Sequence, residues 1–281
     1  MAASAADSFA YCAAEVRRFD HDRYLAALFA PADRRRALMA LYAFNLEVAK
    51  VREVVSEPLI GRMRLQWWRE RMDDIYAGSP PRHEIATALA EAVGRFNLDR
   101  RHLDRLLAAR EADMAEGPPA DLAALEAYVE GTSSALVALS LETLDAPDAA
   151  LARSAGLAWG LTGLIRALPH HARARRLYLP ADALNDVGIT PEDVYSRRKT
   201  EAITAVVRRV AEAAETHLTA ARAGAGNVLP RGLAALLPLA LVESYLRRIR
   251  RRGYDGLGDG LEIGGVARQV RIGLAAWRKR V

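Results

Sequence analysis

Cysteine is almost absent from this chain. The single thiol, Cys12, excludes an internal disulfide framework and a cysteine-based metal cluster. It is in keeping with a reducing compartment. β-Branched residues are sparse and aromatics make up only 6%, so no strand ladder is legible. No apolar run reaches the roughly 20 residues that a membrane-spanning helix needs. The nearest, Leu233 to Leu246, contains Pro238 and Glu243. The N-terminus has no basic stretch followed by an apolar one, and Asp7 and Glu15 come early. Neither a secretory signal nor a mitochondrial transit peptide is expected, and the expected location is the cytoplasm.

What is present points to helices. Ala, Leu and Arg dominate a chain of 281 residues that is 51% hydrophobic, enough to bury a sizeable core. The net charge is +5. A modest basic excess suits an anionic membrane surface, a phosphate-bearing ligand or an acidic partner. Nucleic acid is not expected, because the cations are spread along helices beside acids and no recognition motif is present.

Apolar spacing, Pro and Gly divide the chain. Residues 5–28 read as a first helix, and a second follows Pro31 as far as the Ser56-Glu57-Pro58 break. A third runs to Gly78 and the Pro80-Pro81 turn, and two more flank Asn97. Asp121 caps a long helix containing the small-residue patch Gly131 to Ser134, which would bend it or admit a ligand. Further helices are expected at about 147–168, 200–222 and 231–252, the last two ended by glycines. A glycine-rich loop, Gly253 to Gly265, precedes a final helix. The expectation is one all-α domain, 1–281, a helical bundle around a central cavity.

The stretch from Gly156 to Pro180 organises the chain. Gly156, Gly160 and Gly163 would let a backbone or ligand approach closely. Arg166 follows, then Pro169, where a break is expected, and then His170, His171 and an arginine run. This is the order of a pocket wall leading to a charged mouth, yet no carboxylate lies between Gly156 and Pro180.

Residues 23–78 and 128–180, the latter running from Tyr-x-x-Gly-Thr to Tyr-Leu-Pro, resemble squalene and phytoene synthases. The resemblance implies the isoprenoid synthase fold, with two aspartate-rich motifs facing each other across the mouth and holding prenyl diphosphates through Mg²⁺. The first motif, Tyr-Ala-Phe-Cys-Arg-x-x-Asp-Asp-x-x-Asp, corresponds to Tyr42 through Glu53. Its adjacent aspartates fall on Ala49 and Lys50, and only Glu53 keeps a carboxylate. The second, Gln-x-x-Asn-x-x-Arg-Asp-x-x-x-Asp, corresponds to Gly160 through His171. Arg166 remains, and Ala167 and His171 replace the aspartates. Mg²⁺ requires oxygen ligands. An ammonium ion about 4 Å from Mg²⁺ would cost about 8 kcal/mol at an effective dielectric near 20. The expectation is that the Mg²⁺ chemistry is lost, with no catalytic residue, metal or cofactor.

The runs from Phe44 to Tyr76 and from Leu164 to Pro180 resemble the branch of complex I assembly factor 6. That resemblance implies a bacterial, non-enzymatic helper in building the respiratory NADH:ubiquinone oxidoreductase, with complex I subunits or other assembly factors as partners. The alternatives are a divergent prenyl transferase, which would use Mg²⁺, and a protein that binds a lipid or prenyl ligand without chemistry.

Lys50, Arg52, Glu53, Arg166 and Tyr178 are the candidate residues of an anion or prenyl-ligand mouth. Against this, Arg173, Arg175 and Arg176 beside Arg166 also read as a solvated basic turn. The adjacent His170 and His171 read as loop histidines rather than metal ligands. Glu53 and Glu57 read as a solvated face, and Met63, Leu65, Trp67 and Trp68 as core packing. The run Arg247 to Arg252 behind Leu233 to Leu246, aided by Arg278 to Arg280, offers a peripheral seat on the inner membrane. The competing reading is a buried helix with a basic solvent end.

Overall fold

The computed structural model describes residues 5–281 apart from Ser56, Pro80, Pro81, Glu116, Lys199, Thr200, Asn227, Leu229 and Asp259. The expected Pro80-Pro81 turn and the Ser56 of the first break therefore lie outside the described residues. Every regular element among the described residues is helical. In chain order they are α1 (Ala5–Phe19), α2 (His21–Ala27), α3 (Ala32–Val54), α4 (Pro58–Tyr76), α5 (Glu84–Phe96), α6 (Arg100–Arg110), α7 (Leu122–Val129) and α8 (Ala135–Thr143). There follow α9 (Ala149–Arg173), α10 (Ala181–Asp186), α11 (Pro191–Tyr195), α12 (Glu201–Ala225), α13 (Leu233–Leu236), α14 (Leu239–Arg251) and α15 (Gly265–Arg278). A 3-10 turn, Glu111–Met114, extends α6.

Three boundaries differ from expectation. The first helix is two, because Asp20 stops helical geometry and its carboxylate accepts the backbone N–H of Arg23 at 3.2 Å, capping α2. The helix expected at 231–252 is divided by Pro238 into α13 and α14. The break expected at Pro169 does not occur, and α9 runs through it to Arg173. Pro removes one helical hydrogen bond and crowds the preceding turn. Leu168 and Ala172 on either side are each only 1% exposed, so their packing holds the last turn in place.

The small-residue patch forms a π-helical turn, Glu130–Ser134, that joins α7 to α8 in one rod. This rod, Leu122–Thr143, is long and apolar enough to cross a membrane, but more than half of its apolar window is buried inside the protein. Gly156 and Gly160 of α9 face the π turn. A Cβ on Gly156 would lie 2.2 Å from Ser134 Cα, and one on Gly160 would lie 2.4 Å from Val129 Cγ1. Gly163 has open space at its Cβ position. Two of the three glycines therefore serve helix packing, and the third opens space beside α9.

α9 lies at the centre, packed against α7, α8, the π turn, α12 and α14. Trp68 is buried with its ring 5.0 Å from that of Phe44, and Leu65 is fully buried, as expected of core residues. Met63 is 63% exposed, contrary to expectation. Two residues before Leu65 on a helix, it points away from the core. The apolar side chains of α14, including Leu241, Val242, Tyr245 and Leu246, are buried. Its arginines reach protein acceptors: Arg247 pairs with Glu243, Arg250 with Glu215, and Arg248 donates to the Glu262 carbonyl. This element is a buried helix with a basic solvent end.

Candidate functional site

The five candidate residues do not converge on one mouth. Lys50 turns toward α1. Its Nζ stands 3.4 Å from the centre of the Phe19 ring and 3.4 Å from Glu15, so a cation–π contact and an ion pair hold it there. Arg52 donates to the Val55 carbonyl at 3.4 Å, beyond the end of its own helix. Glu53 lies 3.5 Å from His170 and 3.9 Å from Arg176. Here the first-motif helix does face the end of α9.

Arg166 is not an open anion receptor. Its guanidinium grips Glu262 at 2.9 and 3.0 Å, stands 3.8 Å from Asp22, and lies 3.7 Å over the Tyr245 ring. Asp22 is buried at 5% exposure and also receives hydrogen bonds from Arg268 at 3.1 Å and Tyr245 at 3.2 Å. Two carboxylates thus meet two arginines, and the protein's own acids occupy the place of an external anion. Neither Asp22 nor Glu262 falls in the expected motifs. A carboxylate one residue after a helix break carries no sequence signal of its partners.

Tyr178 belongs to a separate, part-buried polar cluster. Tyr178 and Tyr128 donate to Asp113 Oδ1 at 2.7 and 2.8 Å. Arg110 donates to the Tyr128 hydroxyl at 2.7 Å and to Asp113 Oδ2 at 3.3 Å. Burial, followed by the charge of Asp113, pushes the Tyr178 hydroxyl above its ordinary range, and burial does the same to Tyr128. Both phenols therefore stay neutral donors near pH 7. They fasten α7, the 3-10 turn and the chain after α9 to one another.

His171 packs its ring 4.8 Å from that of Tyr178, and its Nδ1 is enclosed without a hydrogen-bond partner. Burial, then the neighbouring His170 charge, lowers its pKa to about 4. His170, one helical position earlier, is 63% exposed at its side chain. The two imidazoles lie edge-on with ring centres 5.9 Å apart, one exposed and the other packed on Tyr178.

A cavity of about 150 Å³ lies between α2, α3, α6, the π turn and α9. Arg23, Asn45, Arg110, Tyr128, Thr132 and Ser133 are its polar lining, with Trp159 and Gly163 of α9 beside them. Ser133 is 9% exposed and its hydroxyl has no hydrogen-bond partner. Arg23 is fixed by Asp20 at 2.7 Å and stacks on Tyr42 and Trp159. The sequence reading missed Arg23, Asn45, Arg110 and Tyr128. Asn45 and Tyr128 stand inside the quoted motifs and could have been found there.

The described residues include one close group of three metal-capable side chains, Asp99, His102 and Glu142, whose ligand atoms lie within 4.8 Å. Asp99 is held by Arg101 and caps α6. None of the three falls on a motif position. Asp73 and Asp74, further carboxylates within reach of the first segment, pair with Arg100 at 2.6 Å and Arg71 at 2.8 Å.

Residues 16–278 match the family model of squalene/phytoene synthase. The chain belongs to the squalene/phytoene synthase family. A family relative in Rattus norvegicus, NADH dehydrogenase (ubiquinone) complex I, assembly factor 6, is 34% identical over 98% of this chain and 83% of its own length. Presqualene diphosphate synthase of Rhodopseudomonas palustris is 30% identical over 70% of this chain and 72% of its own. The solved structure of squalene synthase HpnC from Alicyclobacillus acidocaldarius superposes with a TM-score of 0.78 at 22% identity, covering 88% of this chain and 94% of that one. This likeness shows the isoprenoid synthase fold.

Proposed function

We propose that this protein is a non-catalytic squalene/phytoene synthase relative that assists assembly of respiratory complex I. Its partners in this reading are complex I subunits or other assembly factors. What supports the reading is the chemistry at four positions that the resemblance matches to the motif aspartates: Ala49, Lys50, Ala167 and His171. Mg²⁺ takes oxygen ligands. Two methyl groups, an ammonium ion held against Phe19 and a half-buried neutral imidazole supply no such oxygen. In this reading the residues at those positions do not fit a Mg²⁺–diphosphate site.

Two further observations support the reading. Arg166, the surviving motif cation, is matched by Glu262 and Asp22, so a diphosphate would have to displace two carboxylates. The cavity of about 150 Å³ is smaller than the roughly 300–1,000 Å³ of ordinary small-molecule pockets. On the positive side, a relative named as a complex I assembly factor matches nearly the whole chain. Deleting the protein from cells that make it and resolving complex I on native gels tests the proposal. A loss of assembled complex is expected.

The rival reading is a divergent prenyl transferase. It draws on the similarity to presqualene diphosphate synthase and on Glu53, the carboxylate kept from the first motif. Purified protein incubated with farnesyl or geranylgeranyl diphosphate and Mg²⁺ is expected to release no pyrophosphate. Turnover abolished by Glu53→Ala would establish the rival.

A further inference from the structure

The C-terminal helix, α15, buries one face and leaves an apolar stripe on the other. Ile272 and Ala275 are 1% and 9% exposed, and with Ile263 they pack against Leu241 and Tyr245 of α14 and Ala26 of α2. Val266, Val270, Leu274 and Trp277 are instead 76%, 52%, 44% and 78% exposed. At 100° per residue these four fall within an arc of roughly 80°, opposite the buried pair. Among the described residues nothing covers this stripe. A tryptophan at such exposure is costly in water unless another surface receives it.

Charge says what that surface is. Residues 265–281 hold five cations, Arg268, Arg271, Arg278, Lys279 and Arg280, and no Asp or Glu. Arg268 is turned inward to Asp22. The other four are exposed, and among the described residues none of them has an ion-pair partner. Arg271 and Arg278 flank the apolar arc on one side, and Lys279 and Arg280 follow the end of the helix. An apolar stripe bordered by exposed cations, with Trp near its end, matches a negatively charged bilayer surface. An acidic protein groove would match the cations but has less use for four aligned apolar side chains at this exposure.

We propose that α15 lies in the plane of an anionic lipid surface. Val266, Val270, Leu274 and Trp277 enter the acyl boundary, and Arg271, Arg278, Lys279 and Arg280 meet lipid phosphates. The seat is thus on the last helix, not on α14, whose apolar side is core. It is independent of whether the protein assists complex I.

The test is co-sedimentation of the full chain with vesicles of phosphatidylcholine alone or mixed equally with phosphatidylglycerol. Binding is expected to the mixed vesicles only, to weaken as salt rises, and to shift Trp emission to the blue. Trp277→Phe is expected to remove that shift. The double variant Val270→Glu, Leu274→Glu changes only exposed positions and should leave the helical circular dichroism intact. Its affinity for the mixed vesicles is expected to fall at least about tenfold, as is that of Arg278→Glu, Lys279→Glu. Absence of binding to the mixed vesicles, or binding that neither double variant weakens, would overturn the proposal and leave the stripe to a protein partner.

Discussion

The contact of α9 with the π turn gives a prediction in which two chemically identical changes have opposite signs. Gly156→Ala places a methyl group 2.2 Å from Ser134 Cα, 2.4 Å from its Oγ and 2.5 Å from its N. Two of these atoms are backbone, so no rotamer change relieves the overlap. The helices must separate. Overpacking a tight core contact costs about 1–3 kcal/mol, and here the rigid partner puts the cost at the upper end. Ala is the better helix former by about 1 kcal/mol, which offsets part of it. The net expectation is a loss of about 2 kcal/mol, or roughly 4–8 °C in Tm for a domain of this size. Gly163→Ala, seven residues along the same helix, meets nothing within 4 Å. It keeps the propensity gain without the clash, and should stabilise by about 0.5–1 kcal/mol. Urea denaturation of both variants beside the parent measures the pair. If Gly156→Ala unfolds at or above the parent's midpoint, the close packing of α9 on the π turn is wrong.

Three other outcomes follow from the same structure. His171 has its pKa lowered from 6.5 to about 4, so between these values the unfolded chain binds the proton that the folded chain refuses. Stability should be full above pH 6.5 and fall as pH drops toward 4, by about 3 kcal/mol at most; His171→Gln should flatten that part of a Tm-against-pH curve. Asp22→Ala leaves Arg166 and Arg268 facing each other with one buried acceptor gone, and should cost about 3 kcal/mol in urea denaturation. A variant as stable as the parent would show that Glu262 alone satisfies both. Pro169→Ala restores a helical N–H donor inside α9 and should add about 1–3 kcal/mol of stability, read as a higher Tm; a lower Tm would mean that the proline is required to seat His171.

The architecture was legible because the signals that fix helices are local. Asp121, Asn97 and the glycine-rich stretch before α15 mark ends where the structure has them. Gly156 and Gly160 announced close contact, and the fold uses them so. What failed was decided by tertiary packing. Pro169 reads as a stop, yet burial of Leu168 and Ala172 carries α9 past it. That single difference turns two loop histidines into one outward and one inward side chain. The site was only half legible for a similar reason. Ala49, Lys50, Ala167 and His171 could be read against the family pattern, but the partners of Arg166 come from positions 22 and 262. Lys50 was expected at the mouth; its destination depends on Phe19 and Glu15 being brought alongside by α1.

In the proposed reading, this scaffold assists complex I assembly without diphosphate chemistry. The most direct measurement is the amount of assembled complex I in a deletion strain supplied with either the parent chain or Glu53→Ala, at matched protein levels. Deletion is expected to deplete the complex and both chains to restore it equally, because Glu53 takes no part. Normal complex I in the deletion, or a folded Glu53→Ala chain that fails to restore it, would overturn this function.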